Sequence, residues 1–350
     1  MKSRFSDAVY DVLLAGYFGF ANLGDELLAY SAVKNLSELG VSPDKIAILS
    51  GNPKLSERNL GIRAFDRWSV PSVSKALNMS RSLLLAGGGL FQDASSARSC
   101  MYYWGLVRMA VWKSRPVWAL GQSVGPLYGG LAKYLARDAL SRCVYLAVRD
   151  EASLDALKSM NISPEVMPDL VFALPVLEIP PCDSGAVLVN IRPQNGAADC
   201  EQAVIKVARM CGSSGMELLY AAMSPDDELE IKKFQESGDL PKGEIITVAT
   251  MDDFASAAKR ARVAVGMRLH FGILSVLMGL RLVMSAYDPK VACFARDWGV
   301  RLLSLDDLYS NFDVKQLLTN SHFQDKRKRD SVSLLVTSHF DIGLRRVLGE

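Results

Sequence analysis

Apolar residues along this chain follow two alternating patterns. Short runs that are apolar at nearly every position, at Val12–Ala15, Ile46–Leu49, Leu83–Ala86, Val117–Leu120 and Val144–Val148, alternate with stretches whose apolar positions recur at helical spacing, from Asp25 to Leu39, about Arg98 to Trp112 and Leu131 to Ser141. Runs buried on both faces and separated by amphipathic helices predict a parallel, doubly wound sheet. A second series follows at Ala186–Ile191, Glu217–Ala221, Glu244–Val248, Arg262–Val265 and Arg281–Ser285. Between the two, Pro168, Pro175, Pro180 and Pro181 break the pattern without adding an element, which reads as a linker. The expected fold class is α/β, with two Rossmann-like domains in a GT-B-like arrangement and the active site in the inter-domain cleft. Residues 1–175 form the first domain and residues 176–330 the second. A closing helix at 331–350, apolar at Val332, Leu335, Phe340 and Leu344, is expected to complete the first.

Composition narrows the class. With 350 residues, 49% of them hydrophobic, the chain can build two cores. Its longest apolar runs, such as Ile273–Leu280, fall far short of the ~20 residues a membrane span needs, and Met1–Asp7 has no signal-peptide core, so a cytoplasmic location is expected. The six cysteines contain no C-x-x-C pair, which points to reduced thiols and no structural metal. A net charge of +2 without a recognisable motif argues against nucleic acid as a partner. The run Lys326-Arg327-Lys328-Arg329 is either a solvated helix start or a peripheral contact with the inner membrane leaflet, worth ~1 kcal/mol per residue near an anionic surface.

The chemistry gathers where strands give way to helices. Gly266-Met267-Arg268-Leu269-His270 sets a guanidinium and an imidazole at the end of an apolar run, where helix N-termini offer free N–H groups to anions. Twenty residues on, Tyr287-Asp288-Pro289-Lys290 reads as a helix start, with Asp288 as cap, Pro289 in the first turn and Lys290 beside it. Arg268, His270 and Lys290 are therefore expected in one crevice.

Three glycine loops follow earlier runs. Gly16–Glu26 has neither the dinucleotide fingerprint nor a P-loop Lys-Ser/Thr, which disfavours a nicotinamide cofactor. Within it, Gly24 permits close backbone approach, Asn22 and Asp25 suit capping or sugar hydroxyls, and Asp25 is a candidate base. Gly87-Gly88-Gly89 leads to Gln92 and Asp93, both suited to polyol hydroxyls, and Gly121–Pro126 forms the third loop. At Val148-Arg149-Asp150, Asp150 should cap the next helix while Arg149 points to the cleft or pairs with a surface Asp.

Taken in order, Gly16–Phe20, Asn22–Glu26, Gly87–Asp93, Gly121–Pro126, Val148–Asp150, Met167–Asp169, Gly266–His270 and Tyr287–Lys290 resemble the CsaB-type polysaccharide pyruvyl transferase family. The resemblance implies a GT-B-like fold that takes phosphoenolpyruvate as co-substrate, needs no cofactor and builds a pyruvate ketal on a sugar. It associates Arg149, Arg268, His270 and Lys290 with donor binding and catalysis. By analogy with bacterial members, the acceptor is an N-acetylmannosamine-containing, lipid-linked cell-wall polymer precursor that serves S-layer anchoring.

Donor chemistry fits these residues. Phosphoenolpyruvate packs roughly three negative charges into a small volume, which calls for two or three cations including an arginine. Arg149, Arg268 and Lys290 supply them. Ketal formation needs a proton on the enol carbon, for which His270 is the natural carrier, and a group such as Asp25 or Asp93 to orient or deprotonate a hydroxyl. Asn22, Gly24, Gly88, Gly89 and Gln92 complete the expected substrate contacts, and the chemistry requires no metal. Two other readings stay open: a nucleotide-sugar glycosyltransferase of the same fold, and a non-catalytic protein that binds an anionic glycan or phosphoenolpyruvate.

Overall fold

Short runs apolar on both faces become two parallel sheets in the computed structural model, which describes residues 8–93, 97–175, 179, 185–193, 198–304, 307 and 326–349. The chain divides into two units, the first made of Met1–Phe20, Asp25–Leu174 and Ser331–Glu350 and the second of Ala21–Gly24 and Pro175–Asp330.

The first unit runs β1 (Tyr10–Ala15), α1 (Leu23–Glu38), β2 (Ile46–Ser50), α2 (Pro53–Leu60), β3 (Arg63–Asp66), α3 (Val70–Asn78), β4 (Ser80–Phe91), α4 (Arg98–Trp112), β5 (Val117–Val124), α5 (Gly130–Leu140), β6 (Cys143–Val148), α6 (Glu151–Ser159) and β7 (Glu165–Val166). Its strands lie in the order β3-β2-β1-β4-β5-β6-β7, all pairs parallel. The second runs β8 (Ala186–Asn190), α7 (Ala198–Ser213), β9 (Leu218–Ala222), α8 (Pro225–Glu236), β10 (Glu244–Thr247), α9 (Met251–Ala258), β11 (Ala261–Gly266), α10 (Leu269–Leu277), β12 (Arg281–Met284), α11 (Pro289–Trp298) and β13 (Arg301–Leu302), and α12 spans Lys326–Leu348. Here the order is β10-β9-β8-β11-β12-β13, again parallel. Each sheet reverses direction beside its first strand, so the switch points, where α/β sheets bind ligands, lie at the carboxyl ends of β1/β4 and β8/β11.

Local chemistry sets the boundaries. Asp288 accepts the Lys290 N–H with Pro289 at the first helical position, and Gly299 closes α11 at φ 63°, a left-handed conformation that favours glycine. Thr250 and Asp253 form a reciprocal capping box at the start of α9. Leu83, Leu85, Val117 and Ala119 fill the core of the first unit against α4 and α5, and Val187, Val189, Val263 and Val265 that of the second against α7. Fully burying one such side chain contributes about 1.5–3 kcal/mol.

Two glycine loops are not loops. Strand β4 continues through Gly87–Gly89 to Phe91, and β5 continues through Gly121–Val124, with Gly88 opposite Gln122, Phe91 opposite Val124 and a register shift between. Gly87, Gly88 and Gly121 take φ of 67°, 85° and 61°, so the glycines let two strands bulge without ending.

Helix α12 starts at Lys326, inside the basic run. Arg329 is buried and donates to the carbonyls of Val276 (3.2 Å) and Leu277 (3.0 Å) at the end of α10, where the macrodipole favours a cation. Lys328 lies 4.8 Å over the Trp298 ring and donates to the Asp297 carbonyl. The run is thus not a uniformly solvated face. Farther along α12, Phe340 meets Trp118 edge-on, and a Cβ at Gly343 would fall 2.4 Å from the same indole, so glycine sets how closely the helix approaches β5.

Among the described residues, no helix is long and apolar enough to cross a membrane. Cys100, Cys143, Cys200 and Cys211 are free thiols, and burial pushes that of Cys143 up to about 12 and that of Cys211 to about 11. Cys182 and His322 lie outside the described residues.

Candidate functional site

In the second unit, β11 ends at Gly266 and Arg268 takes the cap position of α10 with extended backbone. The Arg268 backbone N–H donates to Asn190 Oδ1 (3.1 Å). Its guanidinium is engaged by a buried carboxylate. Nε donates to Asp227 Oδ2 (2.7 Å), while Nη2 donates to Asp227 Oδ1 and to Ser224 Oγ (2.7 Å). Asp227 is wholly buried and also accepts from the Met223 N–H (3.1 Å). Sequence reading expected a cation open to a ligand. The structure finds a bidentate pair, because a carboxylate buried this deeply needs a cation beside it. The consequence is a guanidinium plane held in one orientation.

His270 occupies the first turn of α10, half-buried. Its ring packs on Gly24, where a Cβ would fall 2.2 Å from Nδ1, and the Leu23 N–H donates to the Met223 carbonyl (3.1 Å), tying Ala21–Gly24 into this unit. Two motifs far apart in sequence are therefore neighbours, and Gly24 is needed for the space it leaves. Strand β12 pairs directly with β11, so the start of α11 lies next to that of α10. There Lys290 Nζ sits 3.0 Å from Asp288 Oδ2.

Sequence reasoning missed Arg192. It stands two residues past β8, across the switch point from Arg268, donates through Nη1 to the Tyr287 hydroxyl and lies 4.9 Å over that ring. No described carboxylate pairs with it. The available signal was the one that flagged Arg268, an arginine just beyond a buried strand.

In the first unit, Arg149 does not stand open as a cation. It is buried, ion-paired with Asp169, and donates from Nε to Ser123 Oγ (2.9 Å). Burial works against its charge, but Asp169 and Asp150 outweigh that and raise its pKa. Asp150 accepts from Ser123 Oγ (2.6 Å) and caps α6 through the Ser153 N–H (2.8 Å), as expected. The motifs at Gly121–Pro126, Val148–Asp150 and Met167–Asp169 thus converge on one buried ionic network.

Asp25 lies in the first turn of α1 beside Gly88, where a Cβ would fall 3.5 Å from Oδ1, and space is open at Gly89. Asp93 has both oxygens engaged by the backbone N–H groups of Tyr128 (2.8 Å) and Gly129 (2.7 Å), which hold its carboxyl below the usual range. It anchors the turn before α5 and is poorly placed to accept a proton. Gln92 and Asn22 are half-buried. Among the described residues, no three His, Cys, Asp or Glu side chains gather as metal ligands.

Solved structures share this fold. The chain is similar to UDP-GlcNAc 2-epimerase from Neisseria meningitidis bound to UDP-GlcNAc, with 12% identity over 97% of this chain and 100% of that one and a TM-score of 0.56. It is also similar to the S. aureus MnaA–UDP structure (10% identity, 97% of both chains, TM-score 0.61). The apo lipopolysaccharide outer core galactosyltransferase WaaB matches at 12% identity over 95% of this chain and 99% of that one, with a TM-score of 0.53. At such identities the likeness concerns fold alone, a GT-B-like pair of α/β domains. No curated protein matches the sequence. The family model for polysaccharide pyruvyl transferase matches residues 22–289, a span that takes in Gly24, Asp25, the Arg149 network and the Arg268–His270 turn, and the chain belongs to that family.

Proposed function

We propose that this protein transfers pyruvate from phosphoenolpyruvate to two hydroxyls of one sugar, forming a ketal and releasing phosphate. A proton adds to the methylene carbon of the enol, one hydroxyl attacks the resulting cationic centre, phosphate leaves, and the second hydroxyl closes the ring. Of the two hydroxyl protons, one balances that delivered to carbon and the other leaves with phosphate.

The observation that carries this reading is the cationic carboxyl edge of the second sheet, in a chain of this family. Arg192, with no described carboxylate against it, would take the donor's carboxylate or phosphate. Arg268, fixed by Asp227, would orient the same anion, with Lys290 adding charge. His270 would carry the proton, and Asp25 would receive one from an acceptor hydroxyl. The acceptor to try first is the N-acetylmannosamine of a lipid-linked cell-wall precursor.

Calorimetric titration with phosphoenolpyruvate, and with UDP and UDP-sugars in parallel, tests the donor. Loss of one charge-assisted arginine contact, about 1.5–3 kcal/mol, should weaken phosphoenolpyruvate binding by about 10- to 100-fold in Arg192→Ala while UDP gives no heat. UDP and UDP-sugars are the informative controls because fold neighbours were solved with UDP-GlcNAc and with UDP. Tight UDP binding with phosphoenolpyruvate ignored would move the assignment to glycosyl transfer.

A further inference from the structure

Arg67 is a buried arginine whose charge no described carboxylate meets. It follows β3 at 4% exposure. Nη1 donates to the Gly16 carbonyl (2.7 Å), Nη2 donates to the Tyr103 hydroxyl (3.3 Å), and Nε has no acceptor among the described residues. Five aromatic rings surround it instead, with centroids 4.4 Å (Tyr102), 5.1 Å (Trp68), 5.3 Å (Phe20), 5.5 Å (Tyr103) and 5.9 Å (Tyr17) from the guanidinium carbon. Buried cations ordinarily face anions, and here ring quadrupoles take that place.

The rings form one continuous surface. Tyr17 stacks on Phe20 at 4.2 Å, Phe20 meets Trp68 edge-on at 6.1 Å, and Trp68 leans on Tyr102 at 6.0 Å. Their backbone is held in place. Glu26 accepts the N–H groups of Gly19 (2.8 Å) and Phe20 (3.2 Å), and Asp66 accepts that of Trp68 (2.9 Å). Yet Trp68 is 64% exposed and Tyr17 47%. Rings fixed by a buried cation but left open to solvent are not filling a core. Tyr17 and Phe20 lie past the end of β1 and Trp68 past that of β3, with Tyr17 on the switch-point side of the first sheet, while Tyr102 comes from α4.

We infer that Tyr17, Phe20, Trp68 and Tyr102, braced from below by Arg67, form the subsite that takes the acceptor saccharide, with the C–H face of a pyranose stacked on Trp68 and Tyr17. The choice of ligand rests on the function proposed above. A sugar fits better than a lipid chain because the rings are bordered by the carboxylates of Asp66 and Glu26, which suit hydroxyls and repel hydrocarbon. Arg67 acts as a positioning residue, since it holds both the Gly16 loop and the rings.

Saturation-transfer NMR on the full chain decides this, using the methyl glycosides of N-acetylmannosamine, N-acetylglucosamine, glucose and galactose as probes. At least one glycoside should receive saturation from aromatic protons. Its affinity should fall about tenfold in Trp68→Ala and in Tyr17→Ala and stay within about threefold in Trp68→Phe, which keeps an aromatic face. Thermal unfolding of each variant confirms folding, and calorimetry with phosphoenolpyruvate should give the wild-type affinity throughout. The subsite is overturned if no glycoside receives saturation, if Trp68→Ala leaves binding intact, or if that substitution abolishes binding to vesicles of anionic phospholipid and polyprenol while sparing the glycosides. Glycoside binding that depends on Trp68 in a protein indifferent to phosphoenolpyruvate would uphold the subsite and defeat the donor assignment alone.

Discussion

The carboxyl edges of the two sheets share a topology and differ in what they carry. In the second unit the switch point is flanked by Arg192 and Arg268, with His270 and Lys290 on the next helix starts. In the first it is flanked by aromatic rings, by Asp25 and by open backbone at Gly89. A second contrast runs through both units. Arg149 and Arg268 each face a buried aspartate, whereas Arg67 and Arg192 lie over rings. An arginine with its charge met inside the fold is an orienting device; of the two over rings, buried Arg67 braces the rings themselves, and Arg192 is the one proposed to meet the donor's charge.

Removing a partner should expose that contrast most strongly at Arg268. Asp227→Ala leaves a guanidinium without its anion and orphans the Met223 N–H, so urea denaturation should report a loss of about 3–5 kcal/mol. The matching change at the ring-faced arginine, Tyr287→Phe, removes one hydroxyl and should cost no more than about 1 kcal/mol. Equal costs at the two positions would mean that Asp227 does not hold Arg268.

A glycine pair sharpens the comparison of edges. Gly24→Ala drives a methyl group to within 2.2 Å of His270 Nδ1, while at Gly89 the same methyl meets open space. Alanine suits a helix, so Gly24→Ala should leave the melting temperature nearly unchanged yet displace the imidazole. A shift of ~1 Å in a reacting group costs on the order of 100-fold in rate. Phosphate release from phosphoenolpyruvate plus acceptor should fall by that factor in Gly24→Ala and by less than about twofold in Gly89→Ala. Equal rates in the two variants would remove His270 from the proton-transfer role.

The sequence pattern revealed the strands and helices that bury both faces or one full stripe, because a parallel sheet leaves its periodicity in plain view. It did not reveal β3, β7 or β13, which are four, two and two residues long and partly exposed. The glycine runs at Gly87–Gly89 and Gly121 carry the signal of a loop and form bulges, since positive φ serves either purpose. Arg268 and Arg149 were visible as arginines at strand ends. Their pairing was not, because Asp227 and Asp169 lie 41 and 20 residues away and contact depends on the fold. Arg192, followed by Pro193, reads as ordinary loop until β8 and β11 are seen to flank the switch point.

The smallest expected effect concerns a carboxylate on the ionic edge that forms no ion pair among the described residues. Glu201 sits in the first turn of α7, the helix after β8, and its Oε1 has no hydrogen-bond partner among the described residues. Burial, reinforced by Glu230 and only partly opposed by Lys233, raises its carboxyl from 4.5 to about 6. The folded state therefore holds a proton that the unfolded chain releases. The stability linked to that proton is complete below pH 4.5 and lost as pH rises through about 6, the reverse of a carboxylate such as Asp138, which Arg142 holds below its ordinary value. A shift of that size corresponds to about 2 kcal/mol if fully realised, and partial exposure reduces it to about 1 kcal/mol. Glu201→Gln should match the wild type at pH 4 and exceed it by about 1 kcal/mol at pH 7 in denaturant titrations at the two pH values. A wild-type pH dependence that persists unchanged in the glutamine variant would place its source elsewhere. Where the dependence disappears, a carboxylate without a partner at this edge is a cost, which is the counterpart of Asp227, whose burial is tolerated because Arg268 stands against it.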